Sequence, residues 1–184
     1  MLITNNKKFY LKIKKLKAFG IDKDIKDRKK QGEYDVKLLG FNYRMTDFQA
    51  AMGLCQLIKY EKYLKIRKRN ARLYHKHLEK CSPLISIPSY SDSDSYFVFQ
   101  ILFKNLKTRD RIATNLKRKG IGYGIQYATP VPLLNYYKKK YGYRNSNFPN
   151  SEKYGKTCIS LPVHQKITEK EIIFISNAIK KYLN

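Results

Sequence analysis

Tryptophan is absent from this 184-residue chain, cysteine occurs three times, and acidic side chains are scarce, with 14 Asp and Glu against 39 Lys and Arg. Cys55, Cys81 and Cys158 are odd in number and form no C-x-x-C pair, and no histidine stands at metal-ligand spacing. These absences argue against a disulfide framework or a zinc site and leave free cytosolic thiols as the reading. His75 and His77 are two apart on a predicted helix, face different sides and cannot share a metal; they read as solvent-side or helix-end residues. No apolar run approaches the roughly 20 residues that span a bilayer, and no charged-then-apolar leader opens the chain. A soluble, cytoplasmic protein is the expectation.

The excess of base gives a formal net charge of +25, which invites nucleic-acid binding because phosphate neutralisation drives non-specific affinity. Its distribution points elsewhere. Lysines are spread over nearly every predicted element as solvated helix faces, and they outnumber the arginines suited to bidentate phosphate and base contacts. No zinc-finger, ribonucleoprotein or homeodomain-like motif is present. Against these absences stand 42% hydrophobic residues with 16 Tyr and 9 Phe, enough for one aromatic-rich core, or a small domain plus a piece of another.

Along the chain, Met1 to Thr4 reads as a strand that needs neighbours nothing earlier in the sequence supplies. Asn6 caps a helix to about Phe19, with Phe9, Ile13 and Leu16 on one face and Gly20 as its stop. Residues 21–37 are charged and unpatterned, a long loop of the kind that serves function or a partner. A helical stripe from Thr46 to about Lys80 follows, with a break expected near Lys59. The Pro- and Ser-rich segment Cys81 to Ser95 is the best internal boundary. Strands are then expected at Tyr96–Phe103, Gly122–Ala128 and Thr157–Leu161, with a helix at Thr108–Lys119. Pro130 and Pro132 bar regular helix, and the tyrosines beyond them could cover an apolar surface. A Thr168/Glu171 capping box opens a last helix with Ile172, Ile175, Ile179 and Tyr182 inward.

The run GFNYRMTDFQAA, Gly40 to Ala51, concentrates the most information. Thr46 is an N-cap with Gln49 at the capping-box position, and Asn42 and Arg44 sit just before a helix N-terminus rich in unpaired N–H groups. An anion held there would gain bonds from an amide and a guanidinium. On spacing alone, the reading of Asn42 as a turn residue and Arg44 as a surface charge is favoured over an anion site.

Taken together, MLITNN, FGIDKD, LGFNYRMTDFQAAMGLCQL, KIRKRNARLYHKHL, KGIGYGIQYATPVPL, YYKKKYGY and SLPVHQKITEKEI resemble the C-terminal half of the DegT/DnrJ/StrS-type sugar aminotransferases, fold-type I pyridoxal phosphate (PLP) enzymes. The resemblance implies an α/β fold: a remnant of the large cofactor-binding domain and interface loop (1–45), long interdomain helices (46–80), a linker (81–95) and a small α+β domain (96–184) with a three-stranded sheet. It implies amino transfer, typically from glutamate, to a keto group on a nucleotide-linked sugar, with PLP as the electron carrier.

In that family a serine-histidine-lysine segment supplies the Schiff-base lysine and lies just before the stretch matching MLITNN, so the chain is expected to begin beyond it and to be inactive alone. No acidic partner for the cofactor's pyridine nitrogen is found either. The resemblance implies that Asn42 reaches the PLP phosphate of a partner subunit in trans, with Arg44 in the same interface loop. Tyr127 and His164 are substrate-side candidates, Tyr127 equally readable as a buried strand tyrosine and His164 more readily as a hydrogen-bonded turn histidine; no metal is expected. Gln126 and Leu134 stand where relatives carry histidine, and Tyr136 and Tyr137 read as packing. Partners would be a second copy or a complementing full-length subunit. A non-catalytic interaction protein and a basic nucleic-acid binder are the alternatives.

Overall fold

Asn6 opens the first helix of the computed structural model, which describes residues 2–23, 25–81 and 83–183. Its Oδ1 accepts from the amides of Lys8 (2.9 Å) and Phe9 (3.2 Å), filling two of the donors a helix start leaves orphaned. Helix α1 (Lys7–Leu16) ends three residues before the expected Phe19. Phe19 and Gly20 are both left-handed, at φ 61° and 75°, and Ala18 instead pairs with Asn42 in an isolated bridge. The expected N-terminal strand does not form: Met1 lies outside the described residues, and Leu2 to Thr4 are irregular, with Leu2 and Ile3 exposed. Among the described residues, the long loop is broken only by a 3-10 turn, Ile25–Asp27, and an Ile21–Val36 bridge.

Helix α2 (Asp47–Leu78) runs 32 residues, about 48 Å at 1.5 Å per residue, without the break expected near Lys59. Beyond Gly53 it holds neither glycine nor proline, and its Leu, Lys and Arg residues favour continuation even where the apolar stripe lapses. The chain divides into two compact units, Met1–Ile58 and Lys59–Asn184, with the division inside this helix.

Within the second unit, three antiparallel strands, β1 (Ile85–Ser86), β2 (Phe99–Phe103) and β3 (Cys158–Leu161), form a sheet in the order β1-β2-β3. The three-stranded sheet was expected; its membership was not. Gly122–Ala128 makes a single bridge, Gly124 to Ser160, and then leaves the sheet. The third place goes to β1, contributed by the segment expected to be a linker.

Period-two burial places Phe99, Ile101 and Phe103 inward along β2. They meet Ile159 and Leu161 of β3, Tyr74 and Leu78 of α2, Ile112 and Leu116 of α3 (Leu106–Arg118), and Ile172, Ile175 and Ile179 of α6 (Glu169–Lys181). Burying each such side chain contributes about 1.5–3 kcal/mol against the chain's lost entropy. The Thr168/Glu171 box is present in both directions, with Glu171 N to Thr168 Oγ1 at 3.3 Å and Thr168 N to Glu171 Oε2 at 2.7 Å. Between β2 and β3 come a 3-10 turn (Val131–Leu133), α4 (Asn135–Tyr141) and an unanticipated α5 (Pro149–Thr157).

Candidate functional site

Loop Gly40–Met45 of the first unit is clamped by its backbone. Phe41 N donates to Leu16 O at 2.7 Å, Phe19 N to Phe41 O at 3.0 Å, and Tyr43 N to Lys17 O at 2.9 Å. These bonds lay the loop along the end of α1. Two glycines permit the approach: a Cβ on Gly40 would fall 2.1 Å from Gly20 N, and one on Gly20 only 1.7 Å from Leu38 O. At the far end Thr46 N donates to Gln49 Oε1 (3.0 Å) and Gln49 N to Thr46 Oγ1 (3.3 Å), the reciprocal box that starts α2.

Both Asn42 and Arg44 are exposed in this backbone-bonded loop. The Arg44 guanidinium lies over the Phe19 ring, 5.4 Å from its centroid. It also lines a cavity of about 550 Å³ within the first unit. Exposed amide and guanidinium donors beside a helix start suit the oxygens of a phosphate. Nothing else here suits a pyridoxal ring, because no lysine among the described residues is buried.

One of the pockets of the second unit, about 580 Å³, is walled by Phe97, Val98 and Tyr123, with Arg67, Gln126, Ser160 and His164 as polar lining. Ser160 Oγ donates to Gln126 Oε1 at 2.9 Å, and Gln100 Nε2 donates to the Gln126 carbonyl at 3.3 Å. His164 stands at the rim with Nδ1 accepting from Lys166 N at 3.2 Å, a hydrogen-bonded turn residue as well as a pocket residue. Tyr127 is not brought to it: the ring is 70% exposed and outside the lining. Leu134, Tyr136 and Tyr137 are exposed, the two tyrosines meeting edge to face.

Sequence reading missed Arg67 and Ser160, which reach the pocket from α2 and β3. It also missed Asn70 and Tyr74. Asn70 Nδ2 donates to the carbonyls of Val163 (3.3 Å) and His164 (3.1 Å), and Tyr74 Oη donates to Pro162 O (2.8 Å), fixing the segment that carries His164. Burial pushes the Tyr74 phenol far above its usual range, so it stays a neutral donor. The only signal for these roles was polar residues at otherwise apolar positions of the α2 stripe.

The sequence profile of the DegT/DnrJ/EryC1/StrS aminotransferase family matches residues 1–180. The chain belongs to this family. Among DegT/DnrJ/EryC1/StrS relatives, an uncharacterised protein of Methanocaldococcus jannaschii is 32% identical over 192 residues, covering 100% of this chain and 49% of the relative. A UDP-4-amino-4,6-dideoxy-N-acetyl-beta-L-altrosamine transaminase from Campylobacter jejuni is 29% identical over 181 residues, 97% of this chain and 46% of that protein. A solved structure described as a sugar aminotransferase from Streptococcus pneumoniae, in its PMP form, superposes with a TM-score of 0.84 at 26% identity, covering 98% of this chain and 46% of that one. The chain thus spans about half the length of the relatives it matches, and its fold is that of the C-terminal part of such enzymes. Among the described residues, no helix is long and apolar enough to cross a membrane.

Proposed function

We propose that this chain is the C-terminal portion of a PLP-dependent aminotransferase for nucleotide-linked keto sugars, serving amino-sugar or cell-surface polysaccharide synthesis. The observation that carries the reading is the family match over residues 1–180, joined to the exposed, backbone-clamped placement of Asn42 and Arg44. PLP, when bound, supplies the electron sink for moving an amino group from a donor such as glutamate to the sugar. The part played by this chain is narrower. Asn42 donates its amide to the cofactor phosphate of a partner subunit, and Arg44 adds positive charge from the same loop. Gly20 and Gly40 hold that loop close to α1, so the donors meet the phosphate without a further ordering cost. His164 and the Arg67–Gln126–Ser160 pocket belong to the substrate side, as does Tyr127 on the exposed surface outside that pocket's lining.

By itself the 184-residue chain is expected to be inactive. It has no serine-histidine-lysine run, and none of the described lysines is buried as a Schiff-base lysine needs to be. The test is complementation. The chain is mixed or co-expressed with the lysine-bearing N-terminal half of a family member, and cofactor absorbance is followed with glutamate-dependent amination of a UDP-linked keto sugar. Both should appear on mixing, and Asn42→Ala should weaken cofactor retention about tenfold, the loss of one charge-assisted bond. Association without absorbance or turnover would replace this reading with that of a non-catalytic interaction protein.

A further inference from the structure

Between Asp110 and Glu152 the sequence holds no acidic side chain, and inside that interval YYKKKYGYR, residues 136–144, alternates aromatic rings with cations. The fold turns this run into one continuous surface on α4 and the turn that follows it. Tyr137 meets Tyr136 edge to face at 5.2 Å and lies parallel to Tyr141 at 6.4 Å. Tyr141 is 5.7 Å from Tyr143, which in turn meets Phe148 at 5.1 Å. Tyr136 and Tyr141 are 64% and 55% exposed, so the ladder lies open rather than packed into the core. Its turn is held by specific bonds. Gly142, at φ 72°, ends α4 with its N–H on Lys138 O at 2.9 Å, and Asn147 Oδ1 accepts from Arg144 N at 2.6 Å. Glu152 Oε1 accepts from the amides of Ser146 (2.8 Å) and Phe148 (3.2 Å), so this carboxylate is engaged by backbone. None of Lys138, Lys139, Lys140 and Arg144 takes part in an ion pair among the described residues. Lys140 lies instead over two ring faces, 5.6 Å from the Tyr136 centroid and 5.3 Å from that of Tyr141.

Contiguous exposed aromatics mark interaction surfaces, and pairing them with unneutralised cations selects a partner that carries planar faces and negative charge together. An acidic peptide repeats the charge without the planar face. A single-stranded nucleic acid supplies a base and a phosphate at every residue, and stacking on tyrosine needs no sequence-reading motif. We propose that α4 and its turn form a stacking surface for single-stranded nucleic acid, with bases on Tyr136, Tyr141 and Tyr143 and phosphates on Lys139, Lys140 and Arg144. The lysines spread over the rest of the chain lack such rings beside them in a comparable run. This binding is separate from the aminotransferase reading and does not rest on it.

The experiment is fluorescence anisotropy of a labelled short oligothymidylate with the full 184-residue chain over a series of salt concentrations. A chain of net charge +25 attracts any polyanion, so the aromatic contribution must be read apart from the ionic one. Tyr136→Leu and Tyr141→Leu keep the charge and an apolar side chain at exposed positions, and unchanged thermal melts verify that they fold. Each should weaken binding about fivefold or more at every salt concentration. Neither should alter the slope of log affinity against log salt, because stacking releases no counterions. Lys139→Gln should instead lower that slope by about 0.7, while Lys170→Gln on α6 should leave affinity and slope unchanged. An abasic oligomer of the same length should bind the parent chain more weakly than oligothymidylate, and the double tyrosine variant should not distinguish the two. Equal binding of both oligomers by the parent chain, or equal slope changes for Lys139→Gln and Lys170→Gln, would mean diffuse condensation and overturn the proposal. Heparin binding that falls as far as oligothymidylate binding in the tyrosine variants would also overturn it, giving the surface to an acidic glycan.

Discussion

Gly40 lies so close to Gly20 that a Cβ on it would stand 2.1 Å from the Gly20 nitrogen and 2.6 Å from the Phe19 carbonyl carbon. The obstruction is backbone on backbone, which cannot rotate away as a side chain could. Gly40→Ala must therefore push the Asn42 loop off α1, breaking the Phe19 N to Phe41 O and Phe41 N to Leu16 O bonds, at a cost of about 1–3 kcal/mol for overpacking. Hydrogen exchange checks it. The amides of Phe19, Phe41 and Tyr43 should lose protection while those of β2 and β3 keep theirs, because the change lies wholly within the first unit. In the complementation assay the same variant should lower cofactor retention although Asn42 is intact.

Asn70 is the second pivot. It is fully buried in α2, its Oδ1 accepting from Arg69 Nε (3.3 Å) and a terminal guanidinium nitrogen (3.1 Å) while Nδ2 serves the carbonyls of Val163 and His164. Asn70→Ala leaves those carbonyls without their amide and should cost about 1–3 kcal/mol, read as a lower urea midpoint. Asn70→Asp should be worse than its near-identical shape suggests, because an ionised carboxylate cannot donate to a carbonyl and would be buried. Tyr74→Phe removes the neighbouring bond to Pro162 O and should cost about 1 kcal/mol. The double variant should fall short of the sum, since both residues hold the same three-residue segment.

What could be read in advance followed the range of the interaction that decides it. Caps are local: Asn6, the Thr46/Gln49 pair and the Thr168/Glu171 pair each act within three residues, and each appears as expected. Strand β3, a continuous run buried along its whole length, was equally legible. Strand β1 was not, because two residues in a Pro- and Ser-rich stretch become a strand only when Ile85 and Ser86 find Phe103 and Leu102. Helix α5 was hidden by an interior glycine, and the Gly122–Ala128 run misled because its alternation meets one bridge and then a turn across the sheet. The candidate site divides the same way. The Asn42 loop announces itself through adjacent motif residues, whereas Arg67, Gln126, Ser160 and His164 are joined only by the fold.

Gly155 shows what that interior glycine in α5 achieves. A Cβ there would meet the carbonyl oxygens of Tyr127 at 2.3 Å and Ala128 at 2.8 Å. Gly155→Ala would normally stabilise a helix by about 1 kcal/mol. Here it should destabilise by about 1–3 kcal/mol as the helix and the 127–128 backbone are forced apart. A thermal melt gives the sign. The 2.9 Å Ser160 Oγ to Gln126 Oε1 bond should loosen with it, exposing Gln126 on the pocket wall.

His75 provides a pH test of the second unit's core. Its ring meets Phe99 edge to face at 5.4 Å and Tyr90 at 6.0 Å, and burial among them holds its pKa below the usual 6.5 despite the opposing pull of Glu79. The unfolded chain therefore binds a proton more readily than the folded one between the depressed value and 6.5, so stability rises with pH across that window. Above 6.5 the ring is neutral in both states and no penalty applies. As pH falls through 6.5 toward the folded value, the unfolded state gains a proton that the folded state resists. Denaturant midpoints measured from pH 7.5 down to about pH 5 should therefore fall for the parent chain. His75→Leu, which keeps an apolar side chain against Phe99, should flatten that part of the profile, and an unchanged slope would show that His75 does not govern it.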